Sequence, residues 1–171
     1  TTRGWIEKER MDDLPSYASA LPSDTQQFLS FTEEARHWME GGASAKIRPQ
    51  SSAAWFDRTA DAVLERVARA EAHVDDAEDP EFVSTVADLR ILAHLARYHA
   101  RRAEAGVQWA LFELSQDLNA LDAAIDREMQ AVETWASMVE AAGDVYADDL
   151  MMGLRSAGLS GHWRDELAAL R

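Results

Sequence analysis

One pair of residues in the sequence has the spacing of a carboxylate-bridged metal site. Glu34 and His37 are three residues apart, which places both side chains on the same face of a helix. Di-metal helical bundles need two such motifs and two further inward-facing glutamates. Neither His94 nor His99 has a glutamate three residues before it, so the second motif is missing. The histidines are scattered and there is no cysteine, and the sequence therefore predicts no metal and no cofactor.

A second group of side chains follows one stripe of a long predicted helix. His94, Tyr98 and Arg101 are spaced by four and three residues. An arginine fork binds anions and a tyrosine ring stacks on a ligand, so this stripe would suit an anionic or sugar ligand. The structural alternative is that His94 and Tyr98 face another layer of helices while Arg101 pairs with one of the many carboxylates. The residue types favour that alternative.

A third group lies near the end of the chain and combines acidic and aromatic side chains. Its members are Asp144, Tyr146, Asp148, Asp149, His162 and Trp163. Carboxylates with a histidine and a tryptophan would suit a hard cation or a sugar platform. The structural alternative is that Trp163 docks a short terminal helix, in which acidic residues of the first turn interact favourably with the helix dipole. Tyr146, His162 and Trp163 therefore join His94, Tyr98 and Arg101 as candidate ligand or interface residues.

Several classes of function are disfavoured by what the sequence lacks. There is no Gly-x-Ser-x-Gly nucleophile motif and no glycine-rich phosphate loop, so we expect the isolated chain not to be an enzyme. The net charge of −14 argues against binding to nucleic acid or to anionic lipid. No apolar run approaches the roughly 20 residues that span a bilayer. We therefore expect neither a nucleic-acid nor a membrane partner.

Hydrophobic spacings of three and four residues predict an all-α fold. The predicted helices cover residues 23–39, 51–74, 80–114 and 118–142, and a short helix follows Ser160. A capping box at residues 23–26 and a serine cap at Ser51 or Ser52 are expected at the first two N-termini, and Ser160 is expected to cap the last helix. Short connections favour an up-and-down bundle of about four main helices, with a very long third helix and a short C-terminal helix.

The third predicted helix carries four successive alanines on its apolar seam, namely Ala93, Ala96, Ala100 and Ala103. They would allow a close approach of backbones, or they would face bulky partners; a ligand cavity is the third alternative. We expect Ala96 and Ala100 to face other helices. Four of the six tryptophans lie on or near apolar stripes and are expected in the core: Trp38, Trp55, Trp109 and Trp135.

We expect residues 1–171 to form a single domain. The two ends of the sequence predict that this domain is excised from a longer chain. Residues 1–5 are neither an initiator methionine nor a signal peptide, and residues 166–171 stop inside a helical pattern. An alanine-rich, lysine-poor and acid-rich composition is typical of a bacterial source. The composition leaves the compartment open.

Several runs of residues resemble a helical module found in large bacterial proteins that are glycoside-hydrolase-like or uncharacterised. They are residues 44–49, 88–93, 97–100, 143–146 and 161–167, and together the likeness covers most of residues 44–167. The resemblance implies an accessory helical region beside a separate catalytic barrel, and an extracytoplasmic location. It brings no family active-site residue to this chain.

Two hypotheses of different class follow. The first is a non-catalytic helical module of a larger, carbohydrate-active protein, which packs against neighbouring domains of the same chain and contributes to substrate access. The second is an independent helix-bundle scaffold that binds a protein partner, or self-associates, through the long third helix.

Overall fold

The computed structural model describes residues 13–151 and 160–170, which form a helical bundle. Its elements in chain order are α1 (Leu14–Ala18), α2 (Phe31–Glu40), α3 (Pro49–Glu71), α4 (Pro80–Ser115), α5 (Leu118–Ala142), β1 (Leu150–Met151), β2 (Ser160–Gly161) and α6 (Trp163–Leu170). The predicted all-α bundle, with its very long helix and short C-terminal helix, is confirmed. Within the described ranges, strand pairing between named strands is limited to the antiparallel pair β1–β2. No helix of this part of the chain has an apolar stretch long enough to cross a bilayer.

Helix α4 is the predicted third helix and forms the centre of the bundle. It has 36 residues, and at about 1.5 Å per residue it is about 54 Å long. Its predicted start is confirmed, because the Asp79 carboxylate accepts hydrogen bonds from the backbone N–H groups of Glu81 and Phe82. It ends where Gln116 takes a left-handed conformation, with φ 59°. Helices α1, α2, α3 and α5 all pack on α4.

The first predicted N-terminus was wrong. Instead of a helix from residue 23, the carboxylate of Asp24 organises a turn by accepting a hydrogen bond from the Gln26 N–H. Phe28 then pairs with Ile47 in a parallel bridge, which keeps that part of the chain extended. Helix α2 begins only afterwards, with a reciprocal capping box between Ser30 and Glu33. Its predicted end is confirmed, since Gly41 takes the left-handed conformation, with φ 74°.

The serine caps predicted for two other helices were also wrong. Helix α3 starts at Pro49 rather than after Ser51 or Ser52, because a proline is well suited to the first helical turn. The preceding Arg48 is extended, as expected before proline, and gives no side-chain cap. Helix α3 ends at Glu71, three residues before the predicted end. Ser160 lies in β2, so it does not cap α6.

Ion pairs set the register between α3 and α4. Arg90 pairs with Glu71 at 2.7 Å, Arg97 pairs with Asp61, and Arg101 binds both carboxylate oxygens of Asp57 at 2.9 and 3.1 Å. The residue numbers rise on one helix as they fall on the other, so the two helices are antiparallel. Arginine suits such contacts because its planar fork matches a carboxylate.

The small residues of α4 lie where other elements approach most closely. Ala100 is fully buried and packs in a cluster with Ala53 of α3. A Cβ atom placed on Gly106 would lie 3.2 Å from the ring of Phe31, so that glycine lets α2 sit directly on α4. Ala96 is only partly buried. At Ala100 and Gly106 this face therefore packs directly against other helices, whereas Ala103 also lines a pocket.

Replacing Ala100 with leucine should overpack the contact between α3 and α4. We expect the free energy of unfolding to fall by about 1–3 kcal/mol, because a rigid core must shift to admit the added atoms. Urea denaturation followed by circular dichroism measures this. Ala68→Leu, at an exposed position of α3, is the matched control and should change stability by less than about 0.5 kcal/mol. Equal effects of the two substitutions would contradict the packing described.

Candidate functional site

A buried carboxylate stands at the centre of the N-terminal half of the bundle. Glu34 is completely buried, and the Arg48 guanidinium binds it through Nε–H at 2.9 and 3.0 Å and Nη2–H at 2.6 Å. The Trp38 indole N–H donates a further hydrogen bond at 2.7 Å. The donors that hold the Glu34 carboxylate are thus on Arg48 and Trp38, and His37 is not among them. In residues 13–151 and 160–170, no three potential metal-ligating side chains of the types His, Cys, Asp and Glu converge.

This ion pair ties the segment before α3 to α2. Next to Arg48, the Ile47 N–H donates to the carbonyl of Gln27 at 2.8 Å, and the Leu29 N–H donates to the carbonyl of Ile47 at 3.0 Å. Lys46 adds a contact at 2.9 Å from its ammonium to Glu33. The loop between α2 and α3 is therefore held against the loop before α2, with Ile47 beside Phe28.

Glu33 is held in its ionised form. The Ser30 backbone N–H donates to its carboxylate at 2.8 Å, and the ammonium of Lys46 donates to the other oxygen. These hydrogen bonds, that of Ser30 first, lower the pKa of Glu33 to about 2 from its ordinary value of 4.5.

The stripe of His94, Tyr98 and Arg101 does not form one site. Arg101 points to α3 and is occupied by Asp57. Tyr98 points to α5, where its ring meets Trp135 at 5.0 Å between centroids. His94 is partly buried, and burial, followed by the nearby charges of Arg97 and Arg90, lowers its pKa. Tyr98 and Arg101 thus follow the structural alternative, since one packs on α5 and the other pairs with a carboxylate.

Beside Tyr98 lies a second buried ion pair that sequence reasoning missed. Arg102 is almost fully buried and contacts Glu128 of α5 at 3.1 Å, while its guanidinium lies 4.5 Å from the ring centre of Tyr17 on α1. Burial raises the pKa of Glu128, although Arg102 opposes the change. This cluster joins α1, α4 and α5. Because the cluster lies inside the bundle, we assign it a role in holding these helices together.

The three C-terminal candidates, in contrast, come together. Trp163 packs against Tyr146 with ring centres 5.3 Å apart, and against His162 at 5.5 Å. His162 has a structural role, because its Nδ1 accepts the Arg164 N–H at 3.2 Å and its own N–H donates to Asp165 at 2.8 Å. His162 and Asp165 thus form the cap of α6 that the sequence assigned to Ser160.

Tyr146 and Trp163 line a cleft of about 400 Å³ between the start of α4 and the C-terminal segment. We call it the C-terminal cleft. Its walls are Asp88, Ile91, Leu92, Tyr146, Leu150, Met151 and Trp163. The backbone carbonyl of Trp163 accepts the indole N–H of Trp135 at 2.9 Å, which fixes this wall to α5.

A larger apolar depression lies beside the middle of α4 and the Glu34–Arg48 pair. We call it the aromatic groove. Its outer part, of about 480 Å³, is lined by Phe28, Ile47, Ser51, Ser52, Trp55, Phe56 and Arg58. An inner part of about 360 Å³ shares four of these walls, including Phe28 and Phe56, and reaches Tyr17 and His99. Trp55 is 55% exposed, although the sequence predicted it in the core.

The sequence contained one signal for this groove. Phe56, Ala60, Val63 and Val67 define the apolar seam of α3, and Trp55 lies about 100° away from Phe56 on the helix surface. Trp55 shares its face with Ser51 and Arg58, which are polar. The predicted core position was therefore correct for Trp135, which is buried, and wrong for Trp55 and for Trp38, which is 41% exposed.

Comparisons with protein-family models, with curated proteins and with solved structures find no match to this chain. Its own structure identifies the chain as an all-α helical bundle.

Replacing Arg48 with methionine should leave the Glu34 carboxylate buried without a cation. We expect the free energy of unfolding to fall, because the buried carboxylate loses its counter-charge and its guanidinium donors, although Arg48 itself is half exposed. Adding Glu34→Gln should recover part of that loss, because a neutral amide is less costly to bury. Chemical denaturation of the two single variants and the double variant measures the coupling. A purely additive double variant would contradict the pairing.

Glu33→Gln should destabilise the fold only where Glu33 would be ionised. Because folding lowers its pKa, the stability from its ionised form is fully present above about pH 4.5 and is lost as the pH falls towards 2. The difference in unfolding free energy between the wild type and Glu33→Gln should shrink over the same interval. Urea titrations at several pH values test this, and a difference that stays constant between about pH 5 and pH 2 would disprove it.

Proposed function

We propose that this chain is a non-catalytic helical module of a larger protein, and that it packs against a neighbouring domain through the aromatic groove. The single observation that supports this most strongly is Trp55. More than half of its surface is exposed, and its ring stands 5.3 Å from that of Phe56 at the mouth of a preformed apolar groove. Exposed aromatic side chains in apolar pockets are typical anchors of protein contacts.

The walls of the groove specify the chemistry of the contact. Phe28, Ile47 and Phe56 favour an apolar side chain in the groove. Arg58 is exposed on its rim and makes no ion pair with any residue of the described ranges, whereas Arg48 and Arg101 are both engaged. A partner segment that places an apolar side chain in the groove and a carboxylate opposite Arg58 would complement both features.

A carbohydrate ligand fits the groove less well. Sugars stack on tryptophan, but their hydroxyl groups also need several converging polar partners. Two serines and one arginine are the only polar side chains among the residues that line the outer part. The carbohydrate-active character implied by the resemblance therefore belongs, in this proposal, to the larger protein.

The alternative of an independent scaffold that binds through its longest helix has less surface available. Helix α4 is covered by α3 on one side and by α5 on the other, with α1 and α2 towards its C-terminal half. Exposed large apolar residues on it include Val83, Leu89 and Leu92 in its N-terminal half and Leu114 in its last turn. Within the described ranges, these positions are where a partner would find apolar surface on α4.

Hydrogen exchange tests the proposal by comparing the isolated chain with a longer protein that contains it. We expect the backbone amides of residues 47–58 to exchange more slowly in the longer protein, because docking covers the groove. Trp55→Ala should remove that added protection and leave the isolated chain folded. Leu118→Ala, which truncates another exposed apolar side chain at the start of α5, is the matched control.

Arg58→Glu should act in the same direction as Trp55→Ala, since it would repel the carboxylate proposed on the partner. Equal exchange of residues 47–58 in both proteins would refute docking at this groove. Loss of protection in Leu118→Ala as well would show that the effect is not specific to Trp55.

A further inference from the structure

The C-terminal cleft combines two aromatic rings with one carboxylate. The planes of Tyr146 and Trp163 are nearly perpendicular, at 86°, so the rings form a corner. Asp88, on the first turns of α4, lines the same cleft and makes no hydrogen bond or ion pair with any residue in the described ranges. The other walls, Leu92 and Met151 among them, are apolar. The cleft thus has one negative charge in otherwise apolar surroundings.

The segment that leads into the cleft from α5 is also acidic. Residues 140–149 contain four acidic side chains and no lysine or arginine. Of the arginines in the described ranges, the two that are sequence neighbours of cleft walls are engaged elsewhere: Arg90 pairs with Glu71, and Arg164 pairs with Asp148 at 3.3 Å. Among the described residues, no cationic side chain lines the cleft. A positively charged occupant would therefore be attracted by Asp88 without competition from a cation on these walls.

We propose that the C-terminal cleft binds an organic cation whose charge is spread over apolar groups, of the quaternary ammonium class. Aromatic faces attract such cations through their quadrupole, and desolvation between two rings strengthens the attraction. The Asp88 carboxylate supplies the counter-charge. This attraction does not require the ligand to carry hydrogen-bond donors. Apolar walls such as Ile91 and Leu92 suit methyl groups, and the volume of about 400 Å³ holds a small cation of this kind.

The walls distinguish this class from other occupants. A metal ion needs several converging ligands, and Asp88 is the only carboxylate or imidazole among the residues that line the cleft. A sugar needs several polar partners, and Asp88 and the hydroxyl of Tyr146 are the only polar side-chain groups on the walls apart from the Trp163 indole N–H. An anion would face Asp88. The neutral isostere of a quaternary ammonium ion would fit the shape but lose the attraction of both rings and of the carboxylate.

The test uses choline chloride and its neutral isostere 3,3-dimethylbutan-1-ol as probes of the 171-residue chain, with sodium chloride added to equalise ionic strength. Binding is followed by NMR through the indole N–H of Trp163 and the methyl group of Met151. We expect choline to shift both signals saturably and to bind at least tenfold more tightly than the alcohol. Equal affinity for the two probes, or no saturable shift with choline, would overturn the proposal.

Variants place the binding in the cleft. Asp88→Asn should weaken choline binding tenfold or more. It should leave the thermal midpoint near that of the wild type, because Asp88 is exposed and makes no hydrogen bond or ion pair in the described ranges. Tyr146→Leu should weaken it similarly. Asp144→Asn removes an exposed carboxylate that does not line the cleft, so it is the matched control and should change the affinity less than twofold. Equal weakening by Asp88→Asn and Asp144→Asn would show attraction by overall charge only and would overturn the proposal.

Discussion

The buried carboxylate of Glu34 is the constraint on which the N-terminal half of the molecule depends. An ionised group removed from water is tolerated only with close counter-charge and hydrogen bonds, and both must come from fixed positions. Arg48 can supply them only if the chain after α2 turns back and passes over that helix. This return of the chain has three consequences: the parallel bridge between Phe28 and Ile47, the start of α3 at Pro49, and the exposure of one side of Trp55. The aromatic groove is thus a by-product of satisfying one charge.

The distribution of arginine explains how so acidic a chain folds compactly. Four arginines lie on the middle of α4, at positions 90, 97, 101 and 102, and each faces a carboxylate from α3 or α5. The four arginines of α4 are balanced by its own four acidic residues, so the excess of negative charge lies outside this helix. Each exposed ion pair contributes little to the free energy of unfolding. A row of pairs with every arginine on α4 nevertheless disfavours other alignments of the helices, because those alignments would leave charges unpaired. Lys46, the only lysine in the described ranges, instead pairs with Glu33 and holds the loop between α2 and α3 in place.

How far the sequence predicts this structure depends on the range of the interactions involved. The bounds of α4 and α5 follow from long apolar seams, from Asp79 with Pro80, and from a short connection, all of which are local signals. The start of α2 was missed because Phe28 is held extended by Ile47, a partner nineteen residues away that no local pattern reveals. Tyr98 and Arg101 share a stripe by spacing, yet they diverge because α3 and α5 approach that stripe from opposite sides. Tyr146 and Trp163 meet across the end of α5, and only their residue types were visible beforehand.

The connection between α4 and α5 has a consequence for the order of folding. Only Gln116 and Asp117 separate the two helices, and α5 packs on α4 more extensively than any other element does. Closing so short a loop costs little chain entropy, and the contacts nearest the turn join residues close in sequence. Tyr17 and Phe31, in contrast, must reach Arg102 and Gly106 across some 75 to 85 residues of chain. The helical hairpin can therefore assemble first as a template, on which the N-terminal elements dock last.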